Sequence, residues 1–392
     1  MLHLTVRDFS CIKHAELDIS NLTVIIGEQS SGKSLLAKLV YFLGGIQNNV
    51  VQLMDGGFSH DYYHEIRKYI VSNFYRYFDK DSLGDKSFEI IFTSDNLSIE
   101  FSKKDIDALI PLLTKSEKPS LSDSTNITIK HKYQSQPKSI FIPAGRAFFV
   151  NRSQSADVFM AEHQDITLTL FGRIYASFMD GFYKKRKSDY VEYFLSKLDN
   201  KNKFVLKGQA IRENNNVFIQ HDDGRKVNLV SSSSGQKELY PLLVAFDLMY
   251  NFNYYCGIVE EPETHLFPTT QGIITKFIAE LSMMQNNHYL FVTTHSPYIL
   301  SQLNSLLKAG RLAEQFKDDA EKLKQIEAII PREYWLPRAN VNVYKMEDGK
   351  NHQLIDEEDG IIDETYLDSV SEIIMEEYYQ LSKLENSYEA ES

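Results

Sequence analysis

Cysteine is almost missing from the sequence. Cys11 and Cys256 are the two present, far apart and without C-x-x-C or other metal-ligand spacing, which excludes a disulfide framework and a cysteine-based zinc site. That usage fits a reducing compartment, and the cytoplasm is the expected location. Proline and glycine are sparse, at 10 and 18 residues, so long disordered tracts are not expected. No run of 18 or more apolar residues occurs, and the first residues do not form a basic region followed by an apolar block. The expectation is a chain with neither a membrane span nor a signal peptide. An overall positive charge is lacking too: the net charge of −12 argues against a general nucleic-acid binder and leaves room only for a local basic groove. What is present is apolar bulk. A hydrophobic content of 43% with 23 Tyr and 24 Phe can fill the cores of two or three domains, or of one large nucleotide-binding unit with insertions.

The stretch Gly27 to Ser34 reads G-E-Q-S-S-G-K-S and fits the phosphate-cradling pattern G-x-x-x-x-G-K-[ST]. An apolar run, Leu22 to Ile26, precedes it, and a segment of helical spacing, Leu35 to Leu43, follows. Strand, glycine loop and helix are the context that the motif demands. In such a loop the backbone N–H groups of Gly27, Gln29, Ser30, Ser31, Gly32 and the residues up to Leu35 turn toward phosphates. Lys33 reaches the β and γ oxygens, and the Ser34 hydroxyl helps to hold Mg²⁺. Binding of ATP or GTP is the first expectation.

Residues 2–26 alternate apolar and polar positions and predict two or three strands. Helical periodicity runs from Tyr62 to Tyr77, and Phe88 to Phe101 reads as a hairpin turning at Ser94-Asp95-Asn96. Lys115 to Thr128, rich in Ser, Lys and Asp, reads as an exposed loop. Ser139 to Ile142 is a short strand entering Pro143-Ala144-Gly145-Arg146, a turn that delivers an arginine at a strand end. Residues 164–199 are expected to be mostly helical, with a basic run at Lys184-Lys185-Arg186-Lys187 that reads as a solvated face or a weak nucleic-acid contact. Lys203 to Val230 alternates as strands with turns at Asn214-Asn215 and Asp223-Gly224. Strand and helix then alternate: helix Leu239 to Tyr250, strand Tyr254 to Val259, helix Gly272 to Met284, strand His288 to Thr293, helix Ser296 to Leu307. That alternation predicts a parallel α/β core. A hairpin over Val341 to Ile355 and an acidic helix over Tyr366 to Leu384 complete the chain.

A phosphate loop needs a carboxylate at the end of a neighbouring buried strand. Cys256 to Glu261 is such a strand, ending in two acids and followed by Pro262-Glu263-Thr264-His265-Leu266. Glu260 is the candidate Mg²⁺-side carboxylate and Glu261 the candidate general base for the attacking water. The strand His288 to Thr293 leads into Thr294-His295-Ser296-Pro297, where His295 can sense a γ-phosphate through a hydrogen bond. Ser232, Ser233, Ser234, Gly235 and Gln236 open a helix with hydroxyls and free N–H groups, either an anion-binding helix start or only a serine-rich N-cap.

The order of these motifs, a phosphate loop, a serine-glycine signature, a strand ending in acids and a histidine after the next strand, resembles the ABC-type ATPases. E-E-P-E-T-H-L-F-P and T-T-H-S-P resemble the OLD-like and RecF/SMC-like branch of that superfamily, and I-P-A-G-R a strand-end motif of its standalone members. The resemblance implies an α/β, P-loop ATPase head with a mixed β lobe, a parallel-sheet core and an inserted helical region. Residues 1–50, 139–150 and 203–350 would form the core, 51–138 and 151–202 the inserted strands and helices, and 351–392 an acidic helical tail. It also implies a head-to-tail dimer binding ATP and Mg²⁺, in which Ser233 and Gly235 of one subunit complete the site on Lys33 of the other. Glu263 and His265 fall where the family has its interface-crossing D-loop, and Arg146 near its Q-loop, although no Gln stands there. The signature departs from L-S-G-G-Q at Ser232 and Ser234, and Glu260 stands where Asp is commoner.

The expected function is a soluble ATPase whose ATP-dependent dimerisation or higher assembly controls a separate effector protein, a nuclease or a toxin, in antiphage defence or genome maintenance. No strand ending in Glu-Gly with a later D-x-D follows His295, so a Toprim nuclease domain is not expected in the chain. The alternatives are a nucleotide-dependent scaffold or sensor with negligible turnover, and an ABC transporter subunit. The long separation of phosphate loop and signature disfavours the latter.

Overall fold

The computed structural model describes residues 2–55, 70, 72–84, 87–94, 97–107, 126–129, 138–151, 165–177, 179, 205–213, 216–252, 254–284, 288–363, 375–376 and 379–381. Its frame is an eleven-stranded sheet. Along the chain the strands are β1 (Leu2–Phe9), β2 (Ile12–Ile19), β3 (Leu22–Gly27), β4 (Glu89–Thr93), β5 (Leu97–Ser102), β6 (Asn126–Ile129), β7 (Lys138–Ile142), β11 (Tyr254–Glu260), β12 (Tyr289–Thr294), β13 (Val341–Glu347) and β14 (Lys350–Gln353). Their spatial order is β6-β5-β4-β1-β2-β14-β13-β3-β12-β11-β7. A separate three-stranded sheet joins β8 (Gln209–Glu213), β9 (Asn216–Gln220) and β10 (Lys226–Asn228).

The large sheet has two halves of different character. From β13 to β7 every neighbour is parallel, whereas β1, β2, β4, β5 and β6 pair antiparallel. Parallel strands need covering on both faces, and the side chains of β3 show it. Leu22, Val24 and Ile26 point into one core, beneath α5 (Ser234–Phe252), α6 (Pro268–Met283) and α7 (Pro297–Gln315). Ile25 points into the other, beneath α1 (Lys33–Asp55). All six residues of β3 are buried, and each such aliphatic side chain contributes about 1.5–3 kcal/mol to folding.

The second core extends under the antiparallel lobe and holds a cluster of aromatic rings. Phe9 meets Phe88 edge-on at 5.1 Å, and Phe74 stacks on Phe88 at 5.6 Å.

Among the described residues the remaining α-helices are α2 (Lys80–Leu83), α3 (Ala147–Asn151), α4 (Ile166–Ser177) and α8 (Ala320–Ile329). Several features depart from the sequence expectations. Asn126–Ile129 is an edge strand on β5, although its surroundings read as a loop. Helix α8 is absent from the sequence reading. It carries no fully buried residue, so its apolar stripe is weak. The core continues past residue 350, because Ile355 and Ile362 are buried in it and pair as a bridge. Strand β13 inserts parallel to β3, a pairing that no local pattern announces. The helix expected over Tyr62 to Tyr77 is helical at 70 and 72–77. Its earlier part, the turn residues 95–96 and 214–215, the basic run 184–187 and most of the helix expected over 366–384 lie outside the described residues.

Candidate functional site

The phosphate loop sits where β3 ends and α1 begins. Gly32 takes φ +100, and a β-carbon there would come within 2.9 Å of Ile12 Cγ1 and 3.2 Å of Cys11 Sγ. Only glycine fits both the backbone conformation and the space left by the β1–β2 turn. Ser30 also has positive φ, at 64°. The Lys33 ammonium donates to Gly27 O at 2.8 Å, to Glu28 O at 2.6 Å and to Ser31 Oγ at 3.3 Å. Burial pushes its pKa down, while Glu261, Glu263 and Glu28 act against that shift. Gln29, Ser30 and Ser34 are exposed, and Ser31 and Leu35 half-buried, so the rim of the loop is open.

Strand β11 runs parallel to β7 and β12 and delivers its two acids at the sheet's carboxyl edge. Glu260 is buried. Burial pushes its carboxyl up, against the hydrogen bond from Ser34, the charge of Lys38 and the N–H of Ala144. Its Oε1 is buried with no hydrogen-bond partner. Among the described residues no group of three His, Cys, Asp or Glu side chains could hold a metal. One orphaned carboxylate oxygen beside one serine hydroxyl instead fits Mg²⁺, which takes one or two protein oxygens and completes its shell with water and phosphate.

Glu261 has left the strand. Its φ is 42°, its N–H donates to Thr293 O at 2.9 Å, and its Oε1 lies 3.1 Å from His295 Nε2. Both side chains are about one-third exposed, open enough to meet a water molecule. Glu263 holds the histidine from behind. Its Oε1 accepts from His295 N at 2.6 Å and from Thr294 Oγ1 at 2.7 Å. Its Oε2 is buried without a partner, and burial pushes this carboxyl up despite those donors.

The structure therefore brings Lys33, Glu260, Glu261 and His295 to the ends of three adjacent parallel strands. Ser233 and Ser234 are exposed. Among the described residues no hydrogen bond or ion pair joins Gly27–Ser34 to Ser232–Gln236. Within the signature, Ser233 caps α5: Gln236 N donates to Ser233 Oγ at 3.3 Å, and Ser233 N donates back to Gln236 Oε1 at 3.2 Å. This reciprocal capping box satisfies two donors of the helix start. Gly235 lies so near the turn after β11 that a β-carbon would sit 2.9 Å from His265 O.

Sequence reasoning missed the partner of Arg146. That guanidinium is fully buried and engages Glu238, at the start of the second turn of α5. A charged residue on the apolar stripe of α5, four positions before the buried Leu242, was the available signal. Lys38 and Asp165, which join α1 to the N-cap of α4 by an ion pair, were missed as well.

Comparison with solved structures finds the SMC head domain from Thermotoga maritima at 11% identity, covering 90% of this chain and 97% of that one, with a TM-score of 0.40. An Smc head domain with an extended coiled coil, bound to the C-terminal domain of ScpA, derived from Pyrococcus furiosus, is 12% identical. The match covers 95% of this chain and 100% of that one, with a TM-score of 0.40. The ADP conformation of an ATP-binding cassette of an ABC transporter is 13% identical, with coverage of 92% and 93% and a TM-score of 0.36. No curated protein matches the sequence. A family model matches residues 22–301, which run from the first residue of β3 into α7 and so take in the phosphate loop, the signature, both acids and His295. The chain belongs to the family described as AAA domain, putative AbiEii toxin, Type IV TA system.

Proposed function

We propose that the protein is an ABC-type ATPase of the OLD-like and SMC-like kind that binds ATP and Mg²⁺ between two copies of itself. The observation that carries this reading is the placement of Glu261 and His295, 3.1 Å apart, at the ends of β11 and β12, of which β12 pairs with β3, the strand feeding the phosphate loop, and β11 pairs with β12. Lys33 would release its loop carbonyls to neutralise the β and γ oxygens of ATP. Ser34 and Glu260 would hold Mg²⁺, which supplies charge neutralisation on the phosphates. Glu261 would orient and deprotonate the attacking water, and His295 would donate to the γ-phosphate. Ser233 and Gly235, without a hydrogen bond to the phosphate loop of their own chain among the described residues and opening a helix whose N–H groups favour anions, would meet the γ-phosphate held by a second copy.

Closure of two copies over ATP, and their release on hydrolysis, would control a separate effector, a nuclease or a toxin. The family description, with its words "putative AbiEii toxin" and "Type IV TA system", supports a defence setting over genome maintenance. Steady-state hydrolysis by the wild type and Glu261→Gln tests the enzymatic reading. The proposal expects turnover that the variant loses by about 10²–10⁴-fold, the range for a general base. Equal rates would leave a nucleotide-dependent scaffold or sensor instead.

A further inference from the structure

The buried cluster around Arg146 is unlike an ordinary ion pair. One end of the guanidinium faces α5: Nε donates to Glu238 O at 3.2 Å and lies 3.6 Å from Glu238 Oε2. The Glu238 carboxylate in turn accepts from Arg146 N at 2.7 Å and Ala147 N at 3.0 Å. The other end grips the chain at the candidate catalytic acids. Nη1 donates to Glu260 O at 2.8 Å and to Pro143 O at 2.9 Å, and Nη2 donates to Glu261 O at 3.0 Å. Arg146 is 0% exposed and Glu238 2%, a costly place for charge unless every donor is used.

Glu261 needs such a grip. A non-glycine residue at φ 42° is held there at a cost of about 1–3 kcal/mol. Its carbonyl is fixed by Arg146 and by the Thr264 hydroxyl, which donates at 2.9 Å. Moving that peptide would swing the carboxylate away from His295. A planar fork can hold two successive carbonyls and a third partner at once, which a lysine ammonium does with poorer geometry.

We infer that Arg146 and Glu238 are positioning residues for hydrolysis, aiming Glu261 through its own backbone and tying that aim to the seating of the signature helix. Because Glu238 stands at the start of the second turn of α5, which begins at Ser234, a shift of Ser233–Gly235 that moves the helix is felt at the Glu260 and Glu261 carbonyls of the same chain. Engagement of the signature by a phosphate in one site would thereby adjust the base belonging to the other. The inference rests on the ATPase reading above.

The test compares wild type, Arg146→Lys, Glu238→Gln, Glu261→Gln and Arg146→Lys/Glu261→Gln for kcat, KM, equilibrium binding of a fluorescent ATP analogue and thermal unfolding. Folded Arg146→Lys is expected to lose at least about tenfold in kcat, with KM and analogue affinity changed less than about twofold, because misaim of a base by a fraction of an ångström acts on the chemical step. In the Glu261→Gln background the same substitution should cause no further loss. If Arg146→Lys does not fold, Glu238→Gln carries the test with the same expected split. An unchanged kcat, a loss confined to KM or analogue binding, an additive loss without Glu261, or failure of both variants to fold overturns the inference. A wild type that turns over and a Glu261→Gln that does not would, in those cases, leave the ATPase reading standing. A wild type without turnover overturns both.

Discussion

Glu261 Oε1 and His295 Nε2 meet at 3.1 Å across the turn after β11 and the turn after β12, with Glu263 Oε1 accepting from the His295 backbone N–H at 2.6 Å. Two groups in direct contact at one reacting centre act as a unit. Glu261→Gln and His295→Ala should each lower kcat, by about 10²–10⁴-fold and about 10–10³-fold respectively. The double variant should resemble Glu261→Gln alone. Phosphate-release kinetics on the four proteins check this, and full additivity would separate the two residues' roles.

Glu260 Oε1 is a buried acceptor without a partner, and the Ser34 hydroxyl bonds the same carboxylate. Glu260→Gln should therefore bind ATP but not respond to Mg²⁺. In the wild type, ATP with Mg²⁺ should raise the unfolding temperature beyond ATP with EDTA, since a ligand bound only by the folded state stabilises it by mass action. The variant should show no such difference in differential scanning fluorimetry.

The two thiols report on the fold directly. Cys256 is buried and its thiol is pushed up to about 12 by that burial, whereas Cys11 is exposed and lies beside Gly32 of the phosphate loop. A maleimide should label one thiol per folded chain and both in denaturant, since thiolate and access control reactivity. ATP should slow the labelling of Cys11, as mass spectrometry of the labelled peptide would show.

Asp165 is a pH-dependent contributor to stability. Burial would raise its carboxyl, but Lys38 and the N–H and hydroxyl of Thr167 hold it below the usual aspartate value. A group whose folded pKa is depressed stabilises the fold above the unfolded pKa of about 3.9 and loses that contribution as pH falls through the folded value. Asp165→Asn keeps the N-cap and should cost up to about 1 kcal/mol at pH 7, through the screened ion pair with Lys38 alone. That difference should shrink as the pH drops below about 4. Urea unfolding at pH 7 and at pH 3 measures both.

The central motif was legible because its information is local. Leu22 to Ile26 is an unbroken apolar run before a glycine loop, and Ser233 and Gln236 advertise a helix start at fixed spacing. The strands carrying Glu260 and His295 were readable for the same reason. Other features depend on distant residues. Met346 pairs beside Gly27 across more than three hundred positions, and Glu238 finds Arg146 across 92. Neither partner carries a periodic signal that names the other. Asn126–Ile129 failed as a loop expectation because a short edge strand is defined by its neighbour β5 and not by its own composition. Ile355, read as the end of a hairpin, and Ile362, read as tail, are buried in the core and bridge each other.

The central claim is that Lys33 of one copy and Ser233 of another share one ATP. Lys33→Ala, which should bind no ATP, and Ser233→Arg, which should bind it without closing, are each expected to be inactive alone. Mixed in equal amounts and allowed to exchange, they should regain activity up to about a quarter of wild type, because half the dimers then hold one intact composite site of two. Recovery on mixing is the predicted result. Two inactive variants that stay inactive when mixed, although mass photometry shows that they form mixed dimers, would contradict the account.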